Sequence, residues 1–366
     1  MTDSVQREVG PHPAALLIES MDLDAQGVSH DSEGRVVFVE NALPSEWVRY
    51  QASQKKPKWS KGIAVERFTE SHLRVKPECE NFGFERGSCG GCKMQHVHPI
   101  AQISLKQRSL IDQLWHLGKC RPDQLLRPLT GPSAHYRHRG RLSVRYVEKR
   151  DEVLIGFHER SSRYIADMKS CAVIPSRLSD LLLPLRALMH QLEARSQIPQ
   201  LEFALGQDVL ALVVRHLAPL STRDLEVIKA FSSANDVEWW LQPAGPDSVV
   251  PLDRDSASRL SYEIPEFGLE MPFLPTDFTQ VNPQINQRMI QQAISLLGVE
   301  SSDTVIDWFC GLGNFTLPLA TQAQHVLGIE GSHQLIQRAK ENWAFNQERR
   351  NRLGIDPGGA QTLCFT

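Results

Sequence analysis

The chain has 366 residues, 41% of them apolar and 23% charged, and a formal net charge of −3. That length allows two or three domains with ample core, and that charge excludes a uniformly basic nucleic-acid binder while leaving room for local basic patches. No apolar run approaches the roughly 18 residues of a membrane span, and the first ten residues lack an apolar signal segment. The expected location is the cytoplasm, with no membrane contact and no obligate protein partner evident.

In chain order, residues 1–13 read as a disordered tail ending in Pro11-His12-Pro13. Residues 16–75 are β-rich. The runs Val36-Val37-Phe38-Val39, Glu46-Trp47-Val48-Arg49-Tyr50 and Gly62-Ile63-Ala64-Val65 are split by turn residues such as Glu33-Gly34 and Leu43-Pro44. Short strands at this spacing predict a small barrel. Within it, Lys55, Lys56 and Lys58 stand beside Trp59, a pairing that single-strand nucleic-acid binders often use. A solvated charged face is the plainer alternative.

The chain carries seven cysteines, and Cys79, Cys89 and Cys92 crowd into fourteen residues. In a cytoplasmic chain such crowding points to metal or cluster binding rather than to disulfides. The Cys89-Gly90-Gly91-Cys92 turn aims two sulfurs at one centre. A fourth ligand must come from elsewhere, and Cys171 is the best candidate. Four thiolates suit a structural zinc or an iron–sulfur cluster alike. Unrelated buried cysteines are the remaining alternative.

Next, Ile103, Leu110, Ile111, Leu114 and Trp115 recur at helical spacing, and Gly118 is placed to end that helix. A second β-rich region opens near Tyr136. Arg137, Arg139, Arg141 and Arg145 share one face of a predicted strand, while Leu142, Val144 and Tyr146 face the other way. Such a stripe could track phosphates, or be only a solvated face. Residues 153–157 form a further strand. Residues 178–192 look helical, with Pro184 interrupting, and residues 203–215 and 236–241 return to strand patterning. Residues 242–255 read as a Pro- and Asp-rich loop. Asn282, Pro283 and Gly298 mark the cap, first position and end of another helix. Its expected buried face is Ile285, Met289, Ile290, Ala293, Ile294 and Leu297.

Thr304-Val305-Ile306 then reads as a short buried parallel strand. A tight glycine loop follows from Asp307, and residues 315–320 open a helix. This is a cradle for a nucleotide-like cofactor. The pattern Gly311-x-Gly313-x-x-Thr316 lacks the third glycine of a dinucleotide fingerprint. S-adenosylmethionine has no pyrophosphate; its carboxylate suits a helix N-terminus and its ribose diol suits an acid. Glu330, nineteen residues after Gly311, stands where that acid is expected. A purely structural strand-turn-helix corner is the alternative.

Together these residues resemble the S-adenosylmethionine-dependent RNA uracil-5-methyltransferases. The nearest likeness is to the branch that carries an N-terminal TRAM barrel and an iron–sulfur cluster and modifies 23S ribosomal RNA. The likeness runs from about residue 16 to about residue 346. Its most specific stretches are Cys89-Gly90-Gly91-Cys92-Lys93-Met94-Gln95-His96, Asp277-Phe278-Thr279-Gln280-Val281-Asn282 and residues 307–317. Residues 136–145 and Ala166-Asp167-Met168, leading to Cys171, resemble that family too. The resemblance implies a [4Fe–4S] cluster on Cys79, Cys89, Cys92 and Cys171, although the first spacing is longer than the family's usual one. It implies S-adenosylmethionine contacts from Gln280, Phe309, Asn314 and Glu330, and 23S rRNA as the partner.

The fold class so implied is multidomain α+β. Residues 14–76 would be an OB-like TRAM β-barrel. Residues 77–265 would be a β-rich central domain for RNA and the cluster, with the helical part 99–130 a candidate to pack on the catalytic domain. Residues 266–366 would be an incomplete Rossmann-like methyltransferase domain. Enzymes of this family add a cysteine thiolate to carbon 6 of uracil, carbon 5 then takes the methyl group, and a base removes its proton. The Ser-Cys-Asn-Pro type motif and the later Glu that serve these steps do not occur here, so no catalytic residue is assigned. Cys310 belongs to the cofactor loop, and Cys364 has no matching context. Only 53 residues follow Gly313, and residues 347–366 show no third strand. The chain is therefore expected to be C-terminally truncated or frameshifted, and inactive as it stands. The alternatives are a non-catalytic RNA-binding iron–sulfur module, a tRNA uracil-5-methyltransferase and, more weakly, a small-molecule methyltransferase.

Overall fold

The computed structural model describes residues 12–253, 260–354 and 362–366. The expected tail lies outside these apart from His12 and Pro13, and so does Pro357-Gly358-Gly359. The chain forms two compact units. One runs to Pro128 and includes His158–Tyr164; the other holds Leu129–Phe157 and Ile165–Thr366. This division follows neither of the boundaries drawn at 76 and 265.

In the first unit the strands are β1 (Leu16–Leu17), β2 (Ser20–Met21), β3 (Gly27–His30), β4 (Val36–Glu40), β5 (Trp47–Lys55) and β6 (Trp59–Arg67). Their order is β1-β5-β6-β4-β3-β2. Leu16 pairs with Val48 of β5, and four residues later Ser20 pairs with Val28 of β3. One segment thus joins both ends of the sheet and closes it into a barrel, which removes the exposed edge that an open sheet presents. Alternation along β4 sends Val37 and Val39 inward onto Ile18, Ala42 and Val48. Helix α1 (Pro99–His116) belongs to this unit. Ala101 and Leu105 pack on Met21, Ala25, Leu43 and Val97, and the Ser109 hydroxyl donates to the Met21 carbonyl at 2.7 Å. Within the segment 99–130, these residues of α1 lie against the barrel.

The second unit opens with β7 (Arg139–Val147), β8 (Glu152–Gly156), α2 (Ser176–Asp180), α3 (Leu182–Gln191), β9 (Gln200–Leu205), β10 (Leu210–Arg215), α4 (Thr222–Asn235), β11 (Val237–Gln242) and β12 (Val250–Pro251). The sheet order is β12-β11-β10-β9-β7-β8. Pro184 falls in the first turn of α3, where its missing N–H costs nothing. The interruption is instead at Leu181, between the two helices. Residues 203–215, expected as one stretch, turn at Gly206 into a hairpin. The sequence reading omitted α4, although its signal was present. Ser221 accepts from the Asp224 N–H, and the Asp224 carboxylate accepts from the Ser221 N–H in return.

The rest of this unit comprises β13 (Leu260–Ile264) and β14 (Leu269–Phe273), an antiparallel pair, then α5 (Pro283–Leu297), β15 (Thr304–Trp308), α6 (Thr316–Ala320), β16 (His325–Ile329), α7 (His333–Leu353) and β17 (Thr362–Phe365). The last three strands form a parallel sheet in the order β15-β16-β17. Three expectations need correction. A third strand does exist within residues 347–366: β17 sets Leu363 against Val326, and its four residues were too short a run to stand out. The strand β15 is not buried, since Ile306 is 50% and Trp308 64% exposed; among the described residues it pairs only with β16 and is an edge. The buried face of α5 is Asn286, Ile290 and Ile294, while Leu297 is 64% exposed. A single core runs from Ala211, Val213 and Trp240 through Leu269, Met271, Ile290 and Ile294 to Leu312, Leu317 and Val326. The central sheet and the Rossmann-like part consequently form one body.

Candidate cofactor site

The loop after β15 is shaped by backbone that few residues tolerate. Gly311 and Gly313 have φ of 56° and 97°, and a Cβ at Gly313 would meet Leu317 Cδ1 at 2.3 Å. Phe309 also adopts positive φ, 62°, and its ring is 86% exposed. Positive φ at a large aromatic stores strain, a feature that clusters at ligand sites. The Cys310 N–H donates to the Ile329 carbonyl, which stitches the loop to the end of β16.

Glu330 closes the loop. One of its oxygens accepts from the Gly311 N–H at 3.1 Å and the other from the Ser332 N–H at 3.0 Å. Each oxygen keeps a further lone pair for a ligand hydroxyl. Across the loop, Asn314 Oδ1 accepts from the Tyr262 hydroxyl at 2.7 Å and from Asn286 Nδ2 at 2.9 Å, and Asn314 Nδ2 donates to Asn286 Oδ1 at 2.9 Å. Asn342, buried in α7, donates to the Leu312 carbonyl at 3.2 Å. Burial raises the Asp307 carboxyl above its ordinary range, against the pull of the Thr316 hydroxyl bonded to it at 2.6 Å. Burial, helped by the nearby Asp307 charge, pushes the Cys310 thiol up to about 11. A thiol so protonated is a poor nucleophile.

Gln280 lies between β14 and α5 and lines a cavity of about 190 Å³ with His138, Tyr262, Glu263, Thr279 and Asn286. Tyr262 and Asn286 thus border the cavity and bond to Asn314, which ties Gln280 to the loop. Sequence reasoning missed both. The signal available for Asn286 was a polar residue four positions before Ile290, on the stripe that is buried. Burial alone drives the Tyr262 hydroxyl above its ordinary range, so it stays a donor. Burial also lowers His138.

Arg139, Arg141 and Arg145 lie on β7 and Arg137 just before it, and their surroundings differ. Arg141 and Arg145 are exposed, but Arg141 bonds to Glu202 on the neighbouring strand at 2.9 Å. Arg139 is half-buried and donates to the Thr276 carbonyl at 3.0 Å. The Arg137 guanidinium lies 5.8 Å from the Phe157 ring, with its Nε buried and lacking a hydrogen-bond partner. Lys55, Lys56 and Lys58 are exposed at the tip joining β5 to β6.

Cys79, Cys89 and Cys92 lie in the first unit and Cys171 in the second. Among the described residues, no three His, Cys, Asp or Glu side chains form a metal-binding group. The three-cysteine segment is nonetheless held firmly. The Gly91 N–H donates to Cys89 Sγ at 3.4 Å, and Asn81 Nδ2 lies 3.9 Å from Cys79 Sγ. Arg160 donates to the Cys92 and Gly83 carbonyls and sits over the Phe84 ring at 4.6 Å. A Cβ on Gly90 would crowd the Arg160 backbone at 3.1 Å.

A parallel strand, a glycine loop and a second strand ending in a loop-closing acid define a Rossmann-like, cofactor-binding fold. The family model for tRNA (uracil-5-)-methyltransferase matches residues 106–353, and the chain belongs to that family. It is 53% identical over 348 residues to the 23S rRNA (uracil(1939)-C(5))-methyltransferase RlmD of Albidiferax ferrireducens, covering 95% of this chain and 73% of that one. It is 52% identical over 326 residues to the protein of the same name from Bordetella pertussis, covering 89% and 69%. Among solved structures, the Pyrococcus abyssi tRNA (uracil-54, C5)-methyltransferase in complex with S-adenosyl-L-homocysteine aligns at a TM-score of 0.65, covering 96% of this chain and 79% of that one. At 16% identity this likeness is one of fold.

Proposed function

We propose that the chain is a 23S ribosomal RNA uracil-C5-methyltransferase in lineage and binds S-adenosylmethionine at the glycine loop. The observation that carries this reading is the Glu330 carboxylate fixed against the Gly311 N–H. Held there, it is placed to accept the ribose hydroxyls, while the exposed Phe309 ring offers a stacking face for the adenine and Asn314 and Gln280 offer amides. S-adenosylmethionine supplies the electrophilic methyl group when bound. The chain's own residues bind and orient it. Residues 14–76 are read as the TRAM barrel, which, with Arg145 and the lysine tip, would grip RNA.

Cys79, Cys89, Cys92 and Cys171 are the proposed ligands of a [4Fe–4S] cluster. The Gly91 N–H donated to the Cys89 sulfur is the kind of hydrogen bond that tunes cluster sulfurs. The assignment is tested by iron and labile sulfide in anaerobically purified protein, and stoichiometric zinc in a colourless preparation rejects it. No helix among the described residues is long and apolar enough to cross a membrane, and the proposed location is the cytoplasm.

The sequence carries no Ser-Cys-Asn-Pro type motif. We therefore expect tight binding of S-adenosylhomocysteine but little or no methyl transfer from labelled S-adenosylmethionine to a 23S rRNA fragment by these 366 residues. Robust turnover refutes the inactive reading. Transfer to tRNA in preference to 23S rRNA overturns the substrate. No binding of the homocysteine product overturns the cofactor site and leaves the RNA-binding module reading.

A further inference from the structure

Asn314 is an amide, and an amide alone can offer either a donor or an acceptor to a ligand. Its setting removes that freedom. Oδ1 receives two hydrogen bonds, from the Tyr262 hydroxyl and from Asn286 Nδ2, and both lone pairs are then used. Nδ2 spends one hydrogen on Asn286 Oδ1, which leaves one N–H for a further acceptor. The lock is itself held. Asn286 is 3% exposed on the inner stripe of α5. Tyr262, on β13, packs its ring 6.0 Å from Phe273, and burial keeps its hydroxyl protonated.

We infer that Tyr262 and Asn286 are positioning residues that commit Asn314 to donating, so that the ligand atom opposite it is a hydrogen-bond acceptor. Resting on the reading of the loop as the S-adenosylmethionine site, the acceptor is the carboxylate of the amino-acid tail. The lock sets ligand class: a cofactor fragment that lacks the tail carboxylate gains nothing from it. Without the tyrosine donor the Asn314 amide is free to turn and to present oxygen to oxygen.

The test uses the full chain and two probes measured by calorimetry: S-adenosylhomocysteine, which has the carboxylate, and methylthioadenosine, which lacks it. Tyr262→Phe keeps the ring and loses the donor. It should weaken S-adenosylhomocysteine by roughly tenfold, the scale of a charge-assisted hydrogen bond, and leave methylthioadenosine within about twofold. Asn314→Asp should weaken S-adenosylhomocysteine more, and adding Tyr262→Phe to it should cost little further, because the two act through one contact. Equal losses for both probes, or additive losses in the double variant, overturn the proposal. An unaltered S-adenosylhomocysteine affinity in Tyr262→Phe with an unaltered melting temperature also overturns it. If the unmodified chain binds neither probe, the cofactor site itself fails, which is a separate result.

Discussion

At the scale of single residues, strain and burial separate the positions that matter. Gly313 has φ of 97°, and an added Cβ would lie 2.3 Å from Leu317. Gly313→Ala should therefore cost about 1–3 kcal/mol of stability and weaken S-adenosylhomocysteine binding. Thermal unfolding and calorimetry check both, and an unchanged protein rejects the strained-loop account. His96 makes a second case. It is 2% exposed, stacked on Phe82 at 5.5 Å, and neither ring nitrogen has a hydrogen-bond partner. Burial, aided by the Arg74 charge, lowers it from 6.5 to about 4. Between these values the unfolded chain binds a proton that the folded chain does not, so stability falls as pH drops from 6.5 towards 4. His96→Phe keeps an aromatic in the slot and removes the proton. It should be near neutral at pH 7.5 and stabilising by about 1–3 kcal/mol at pH 5, read by urea unfolding at the two pH values.

At the scale of elements, two small devices join segments distant in sequence. Glu46, fully buried, receives the Arg74 guanidinium at 2.6 and 2.8 Å and the Leu43 and Ser71 N–H groups, which pins the barrel to the segment leading into the cysteines. Burial works to raise its carboxyl, but the Arg74 hydrogen bonds and the two backbone donors prevail and hold it below its ordinary value. Its contribution is present above the ordinary carboxylate range and is lost as pH falls through the depressed value. Glu46→Ala leaves Arg74 half of a buried pair and should cost about 3–5 kcal/mol, measured by denaturant unfolding. In the second unit Asn346 on α7 exchanges two hydrogen bonds with the Glu270 backbone of β14, at 2.7 and 2.9 Å. The capping box of α4 was readable from Ser221 and Asp224 alone, and Ser221→Ala should cost about 1 kcal/mol.

At the scale of the whole molecule, RNA contact should depend on which cations remain unpaired with acids. Both Arg141 and Arg145 are exposed, but Arg141 is matched by Glu202. Arg145→Glu should therefore weaken RNA binding more than Arg141→Glu. Replacing Lys55, Lys56 and Lys58 together by Ala should reduce the slope of log K against log salt by about 2, at roughly 0.7 for each phosphate contact to a single strand. Equal effects of the two arginine variants, or an unchanged slope, would contradict this assignment of the surface. The same scale explains why the central sheet and the Rossmann-like part are one unit: Ala211, Val213 and Trp240 share a core with Met271, Ile290 and Leu312.

By itself the sequence determined what short-range chemistry can specify. Gly311, Gly313 and Glu330 announced the loop and its acid through spacing; Asn282 and Gly298 bounded α5; the short apolar run 36–39 beside the Glu33-Gly34 turn announced β4. These depend on φ, caps and period, which neighbouring residues dictate. Tertiary structure alone decided which side chains share partners across large separations. The closing of the barrel by residues 16–21, the pairing of Arg141 with Glu202, and the meeting of Tyr262, Asn286 and Asn314 all rest on contacts that no local period encodes. The edge position of β15 is of the same kind. Its apolar run looked buried because hydrophobicity reads alike in a central and an edge strand, and only strand order tells them apart.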